Sequence, residues 1–81
     1  MMQLELFPTD VYLRRVDPTQ NMRRYYWLSV QRNLFGEWVL LREWGRIGRG
    51  GQIKEACFTH PGPALDALQH TAQRKLRRGY R

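Results

Sequence analysis

A period of two in two neighbouring segments restricts this chain more than any other feature. From Arg23 to Gln31, Tyr26, Leu28 and Val30 share one parity, while Tyr25, Trp27, Ser29 and Gln31 share the other. From Glu37 to Trp44, Trp38, Leu40, Arg42 and Trp44 alternate with Val39, Leu41 and Glu43. Side chains that alternate in this way project to opposite faces of an extended strand, so both segments read as β-strands. The connection Arg32-Asn33-Leu34-Phe35-Gly36 is short and offers Gly36 for a positive φ, which joins them as a hairpin. Neither face of the second segment is purely polar, as expected of a strand inside a sheet and covered in part on both sides.

The flanks extend this unit. Residues 1–9 form a mildly apolar leader, which the sequence leaves either docked or free, and residues 10–81 form one domain. Val11, Leu13, Arg14 and Arg15 lie in a short strand-like stretch, and Asp17-Pro18-Thr19-Gln20-Asn21 is turn chemistry. Gly45, Gly48, Gly50 and Gly51 predict a kink and a turn into a further strand over Gln52 to Thr59. His60-Pro61-Gly62-Pro63 stops that strand, with Pro63 suited to a first helical position. Leu65, Leu68, Ala72 and Leu76 then recur at helical spacing, with Asp66 near the positive end of the dipole, Lys75, Arg77 and Arg78 near the negative end, and Gly79 as C-cap. The fold class is α+β: a small antiparallel sheet of four to five strands with one C-terminal amphipathic helix packed on one face.

Size and residue usage exclude much. With 81 residues, roughly 60% of the unfolded chain's surface can be buried, which leaves one thin core and no cleft for a large cofactor. One cysteine, Cys57, forms no internal disulfide, and with two histidines no four-ligand zinc site of Cys and His can be assembled. Ser29, the one serine, falls mid-strand. Cys57 and His60, three apart on a strand, point to opposite faces, so Cys57 reads as a small buried core residue rather than a nucleophile. The glycine-rich stretch lacks a Gly-Lys-Ser/Thr ending and a following helix, so it is not a nucleotide loop. A non-catalytic protein without cofactor or metal is expected. The start of the chain lacks a signal-peptide pattern, and nowhere do about 18 apolar residues run together. Cytoplasmic localisation without a membrane partner follows.

What remains is charge. Twelve arginines and two lysines against seven acids give +7, and guanidinium groups pair bidentately with phosphate. Five basic residues and no acid occupy positions 74–81, three arginines lie between 42 and 49, and Arg23 and Arg24 open a strand. Trp44 sits among them, and aromatic beside guanidinium suits a sugar-phosphate.

At Trp44-Gly45-Arg46 the sequence resembles the WGR domain, a small module of the DNA-damage-activated poly(ADP-ribose) polymerases that also occurs as short or fused bacterial proteins. The resemblance covers roughly residues 11–81, through Tyr25-Tyr26, Trp38, Ile47-Gly48, Gly51, Phe58, Ala64, Leu68, Lys75 and Gly79-Tyr80. It implies about five antiparallel strands with a helix across them. It further implies DNA contact near strand breaks, with Trp44 against a 5′ sugar and Arg46 near the backbone. Arg23 and Arg24 stand where the polymerases carry an Asn-Lys pair, so charge is kept and amide chemistry lost. Nothing resembles the transferase domain or the zinc fingers. The expected function is a monomeric DNA-binding module for ends, nicks or junctions. Its nucleic-acid-binding residues are Trp44, Gly45, Arg46, Arg49, Arg23, Arg24, Arg42, Arg74, Lys75, Arg77 and Arg78. The alternatives are a protein-interaction adaptor using the same Trp/Arg surface, and RNA binding.

Overall fold

The computed structural model describes residues 9–81. Four strands, β1 (Asp10–Asp17), β2 (Met22–Arg32), β3 (Trp38–Arg46) and β4 (Gln52–Phe58), precede one helix, α1 (Pro61–Arg77). Each strand pairs antiparallel with its sequence neighbour, in the order β1-β2-β3-β4. The α+β arrangement expected from periodicity is therefore present. The described residues supply four strands, where the resemblance implied about five. The leader lies outside the described residues apart from Thr9, whose carbonyl accepts the Val30 N–H at 2.8 Å.

Register follows from the alternation. Leu13 faces Tyr26, Val11 faces Leu28, Val30 faces Leu40 and Trp38 faces Phe58, so one apolar parity runs across all four strands. Ala64 and Leu68 of α1 close over it, with Leu28 and Leu68 completely buried. Burying such a side chain contributes about 1.5–3 kcal/mol. Tyr80 joins this core from beyond the helix, and Arg81 pairs its backbone with Arg14 on the outer edge of β1, at 2.8 and 2.9 Å.

Several local expectations shift. No kink occurs at Gly45: β3 runs on through Arg46, because Tyr25↔Gly45 and Arg24↔Arg46 continue the ladder with β2. The turn is confined to residues 47–51. The helix begins at Pro61 rather than Pro63, with His60 as N-cap, and this leaves Asp66 beyond the first turn. Its C-cap is Arg78, and Gly79 follows at φ +94. There the Gly79 N–H donates to the Leu76 carbonyl and the Tyr80 N–H to that of Lys75, an arrangement that needs a left-handed residue after the cap. The buried helix positions are Ala64, Leu68 and Thr71, while Leu76 is half exposed. Continued by one four-residue step, the inward stripe arrives at Lys75. In the β2–β3 turn, the Asn33 side chain accepts the N–H groups of Phe35 and Glu37 and donates to the Glu37 carboxylate.

Candidate nucleic-acid interface

The parity that sends Leu13, Tyr26 and Leu40 into the core sends cations to the same side of the sheet at its other end. Arg15 of β1 lies opposite Arg24 of β2, which lies opposite Arg46 of β3. One row thus crosses three strands with a guanidinium at every step. Like charges directly opposite one another on a sheet destabilise it, so this row works against the fold and calls for a functional explanation. Arg42 and Lys54 form a second cationic pair between β3 and β4. The last turns of α1 bring Arg74, Lys75 and Arg78 over these rows. Together they line a cavity of about 750 Å³ whose aromatic walls are Tyr26, Trp44 and Tyr80. Eight cations and no carboxylate line it among the described residues.

The aromatic side chains order this charge. Trp44 stacks on Tyr26, with centroids 5.7 Å apart and planes 13° from parallel, and Tyr80 meets Tyr26 edge-on at 6.2 Å. Arg42 lies over the Trp44 ring at 5.9 Å, and Lys75 Nζ sits 4.4 Å from the centre of Tyr26 and 5.9 Å from that of Tyr80. Burial and then the neighbouring Arg78, Arg74 and Arg42 hold the Lys75 amine below the usual lysine range. The Arg46 guanidinium donates to the backbone and side-chain oxygens of Asn21, at 3.2 and 3.3 Å, which ties the third residue of the Trp-Gly-Arg motif to the turn before β2.

Support for the motif comes from the opposite face. The Tyr25 hydroxyl donates to the Glu43 carboxylate at 2.6 Å. That bond, with burial adding to it, pushes the tyrosine up to about 12. Beside it the 47–51 turn folds back on β3, and a Cβ on Gly45 would stand 2.9 Å from the Gly51 Cα. At Gly51 a Cβ would overlap the Trp44 carbonyl and the Tyr25 hydroxyl. Glycine is required there for close approach of backbone to backbone.

Of the residues singled out in the sequence, Arg24, Arg42, Trp44, Gly45, Arg46, Arg74, Lys75 and Arg78 line the cavity, and Arg23, Arg49 and Arg77 do not. Arg23 has the parity of Tyr25 and opens on the other face. Arg49 is exposed in the turn, and Arg77 is exposed on the last helical turn. Sequence reasoning missed Arg15, Lys54 and the wall residues Tyr26 and Tyr80. Arg15 could have been found from its parity with Leu13, and Lys54 from its parity with Phe58. Trp44 is partly buried and packs against the core while also lining the cavity. Cys57, expected in the core, is exposed: it lies opposite Val39, on the face away from the helix, in an edge strand.

A four-strand meander with one helix and an arginine-walled aromatic cavity defines a small basic binding module. The WGR domain model matches residues 9–81, and the chain belongs to that family, whose domain is in general a nucleic-acid-binding module. One relative is the uncharacterized protein y4dW of Sinorhizobium fredii (strain NBRC 101917 / NGR234), 43% identical over 74 residues that make up 91% of this chain and 36% of the relative. The chain thus spans about a third of that relative's length. No solved structure matches. Among the described residues, no helix is long and apolar enough to cross a membrane.

Proposed function

We propose that this chain is a non-catalytic DNA-binding module that holds a strand terminus at an end, nick or junction in the cavity beside Trp44. The observation that carries the reading is the row Arg15-Arg24-Arg46 set against the stacked Tyr26–Trp44 pair. The row accounts for affinity without sequence preference, since phosphate contacts position a nucleic acid but carry no base information. The cavity volume supports selectivity for termini: about 750 Å³ lies in the range of small-ligand sites. Trp44, braced by Tyr26, then packs on the terminal sugar or base, a contact worth about 1–3 kcal/mol per stacked base.

Fluorescence anisotropy on nicked, blunt-ended and covalently closed duplexes over a salt series tests this. The nicked duplex binds more tightly than the closed circle, and Trp44→Ala lowers that ratio, with circular dichroism confirming that the variant folds. Equal affinity for nicked and closed DNA removes the terminus claim. Absence of binding at low salt removes DNA binding altogether, and RNA that competes better than DNA redirects it. A protein partner is the second reading. It is supported by Leu34 and Phe35, fully and almost fully exposed on the ordered β2–β3 turn. A nuclease-resistant complex lost in Leu34→Ser with Phe35→Ser would favour it.

A further inference from the structure

Lys75 is placed unlike the other cations of the cavity. It is partly buried on the inward stripe of α1, one step beyond Ala64, Leu68 and Thr71, where an apolar side chain would ordinarily stand. Its amine lies over the Tyr26 ring, 4.4 Å from the centroid, with the Tyr80 centroid 5.9 Å away; these contacts favour the ammonium, while burial and the neighbouring arginines oppose it. The charged groups facing it from the helix are Arg74 and Arg78, and from β3 Arg42. Arginine stays protonated throughout the accessible pH range, so it repels a second positive charge and accepts no proton. Two lysines are present in the whole chain, Lys54 and Lys75, and both line the cavity. Lys54 lies exposed on the edge strand, so Lys75 is the more buried of the two. Desolvation and neighbouring cations are the two devices that turn a lysine amine into a nucleophile toward carbonyl carbon.

We propose that Lys75 is a covalent-capture residue, whose Nζ forms an imine with an aldehyde carried beside a phosphate, the case in point being the C1′ aldehyde of a base-free deoxyribose at a DNA end or gap. The inference rests on the DNA-terminus reading above for its ligand, but not for its amine chemistry. The surrounding guanidinium groups bind the phosphates that flank such a sugar, and the missing base leaves the wall at Trp44 open to the sugar itself. The ammonium first gives up a proton to water; the Nζ lone pair of the neutral amine then adds to the carbonyl carbon, and a proton passes from nitrogen to oxygen to give a carbinolamine. Water then leaves with the former carbonyl oxygen as the C=N bond forms. No oxidant, metal or cofactor enters the balance, and addition of water reverses it.

The test uses the full chain with a labelled duplex holding one base-free sugar at a nick, reduced with sodium borohydride, which converts an imine into a stable secondary amine. A matching duplex with a tetrahydrofuran residue, which binds but has no aldehyde, measures affinity separately. The expected result is a borohydride-fixed adduct that peptide mass spectrometry places on Lys75 of the unaltered protein. Lys75→Arg, used at concentrations that saturate the tetrahydrofuran duplex, loses the adduct. An adduct on Lys54 or the terminal amine, an undiminished adduct in Lys75→Arg, or no adduct despite binding of the tetrahydrofuran duplex overturns the proposal. If that duplex does not bind, the DNA-terminus reading fails by itself. Pyridoxal 5′-phosphate with borohydride then decides the amine chemistry: selective labelling of Lys75 retains it for a free phosphorylated aldehyde, and labelling of Lys54 in preference ends it.

Discussion

Gly51→Ala strikes the point at which the turn after the Trp-Gly-Arg motif touches the strand that carries it. An ideal Cβ there would lie 2.8 Å from the carbonyl carbon of Trp44 and closer still to its oxygen and to the Tyr25 hydroxyl, where ordinary contact begins at 3.4 Å. The obstructing atoms are backbone and a hydroxyl already engaged with Glu43, so no flexible side chain can swing aside. Either the 47–51 turn lifts or β3 shifts at Trp44, and both disturb the Tyr26–Trp44 stack. Overpacking of this kind costs typically about 1–3 kcal/mol. For a domain of this size, about 2 kcal/mol lowers the thermal midpoint by roughly 8–16 °C. Gly50→Ala, one residue earlier, meets nothing within 4 Å and should be neutral or slightly stabilising, because alanine restricts the unfolded chain. Paired thermal melts followed by circular dichroism compare the two, with tryptophan fluorescence reporting the shift at Trp44. Equal midpoints for the two variants would refute the close-approach argument.

Two further outcomes follow from the same geometry. Replacing Arg15 and Lys54 with Gln should flatten the log-log salt dependence of DNA binding by about 1.8, at about 0.9 for each phosphate no longer neutralised; Arg23→Gln with Arg77→Gln, outside the cavity, should leave it nearly unchanged, and the reverse ranking would place the interface elsewhere. Tyr25 is neutral when it donates to Glu43, and its folded value is raised from 10.0 to about 12. The stability it contributes is therefore complete below about pH 10 and lost as pH rises toward 12. Thermal melts from pH 9 upward should show that decline in the unaltered protein and a weaker one in Tyr25→Phe.

The sequence disclosed the sheet more readily than the site, and particular residues show why. Alternation in β2 and β3 is a local property, and the parity read there is the parity found. Helix orientation is not local: counting apolar residues selected Leu76, yet the helix turns Thr71 and Lys75 inward. The Lys75 amine lies 4.4 Å from the ring centre of Tyr26, which is far away in the chain, a contact that helical periodicity does not reveal. The glycines around the motif suggested a kink, but Gly45 and Arg46 stay paired with Tyr25 and Arg24, so β3 continues through them. Cys57 resembled a core residue because nothing along the chain marks β4 as an edge strand. Arg15 and Lys54 had only their parity with Leu13 and Phe58 to mark them; register with Arg24 and Arg42 shows what that parity brings together.

The row of arginines across β1, β2 and β3 also bears on how the molecule behaves before it meets a ligand. All four strands and the helix contribute to the cavity wall, so its mutual repulsion acts on the whole domain as a compressed spring acts on its casing. Any polyanion that settles there relaxes the spring, and by linkage folding and binding reinforce one another. The free chain is then expected to be least stable in dilute buffer and to gain stability from sulfate or phosphate in its medium.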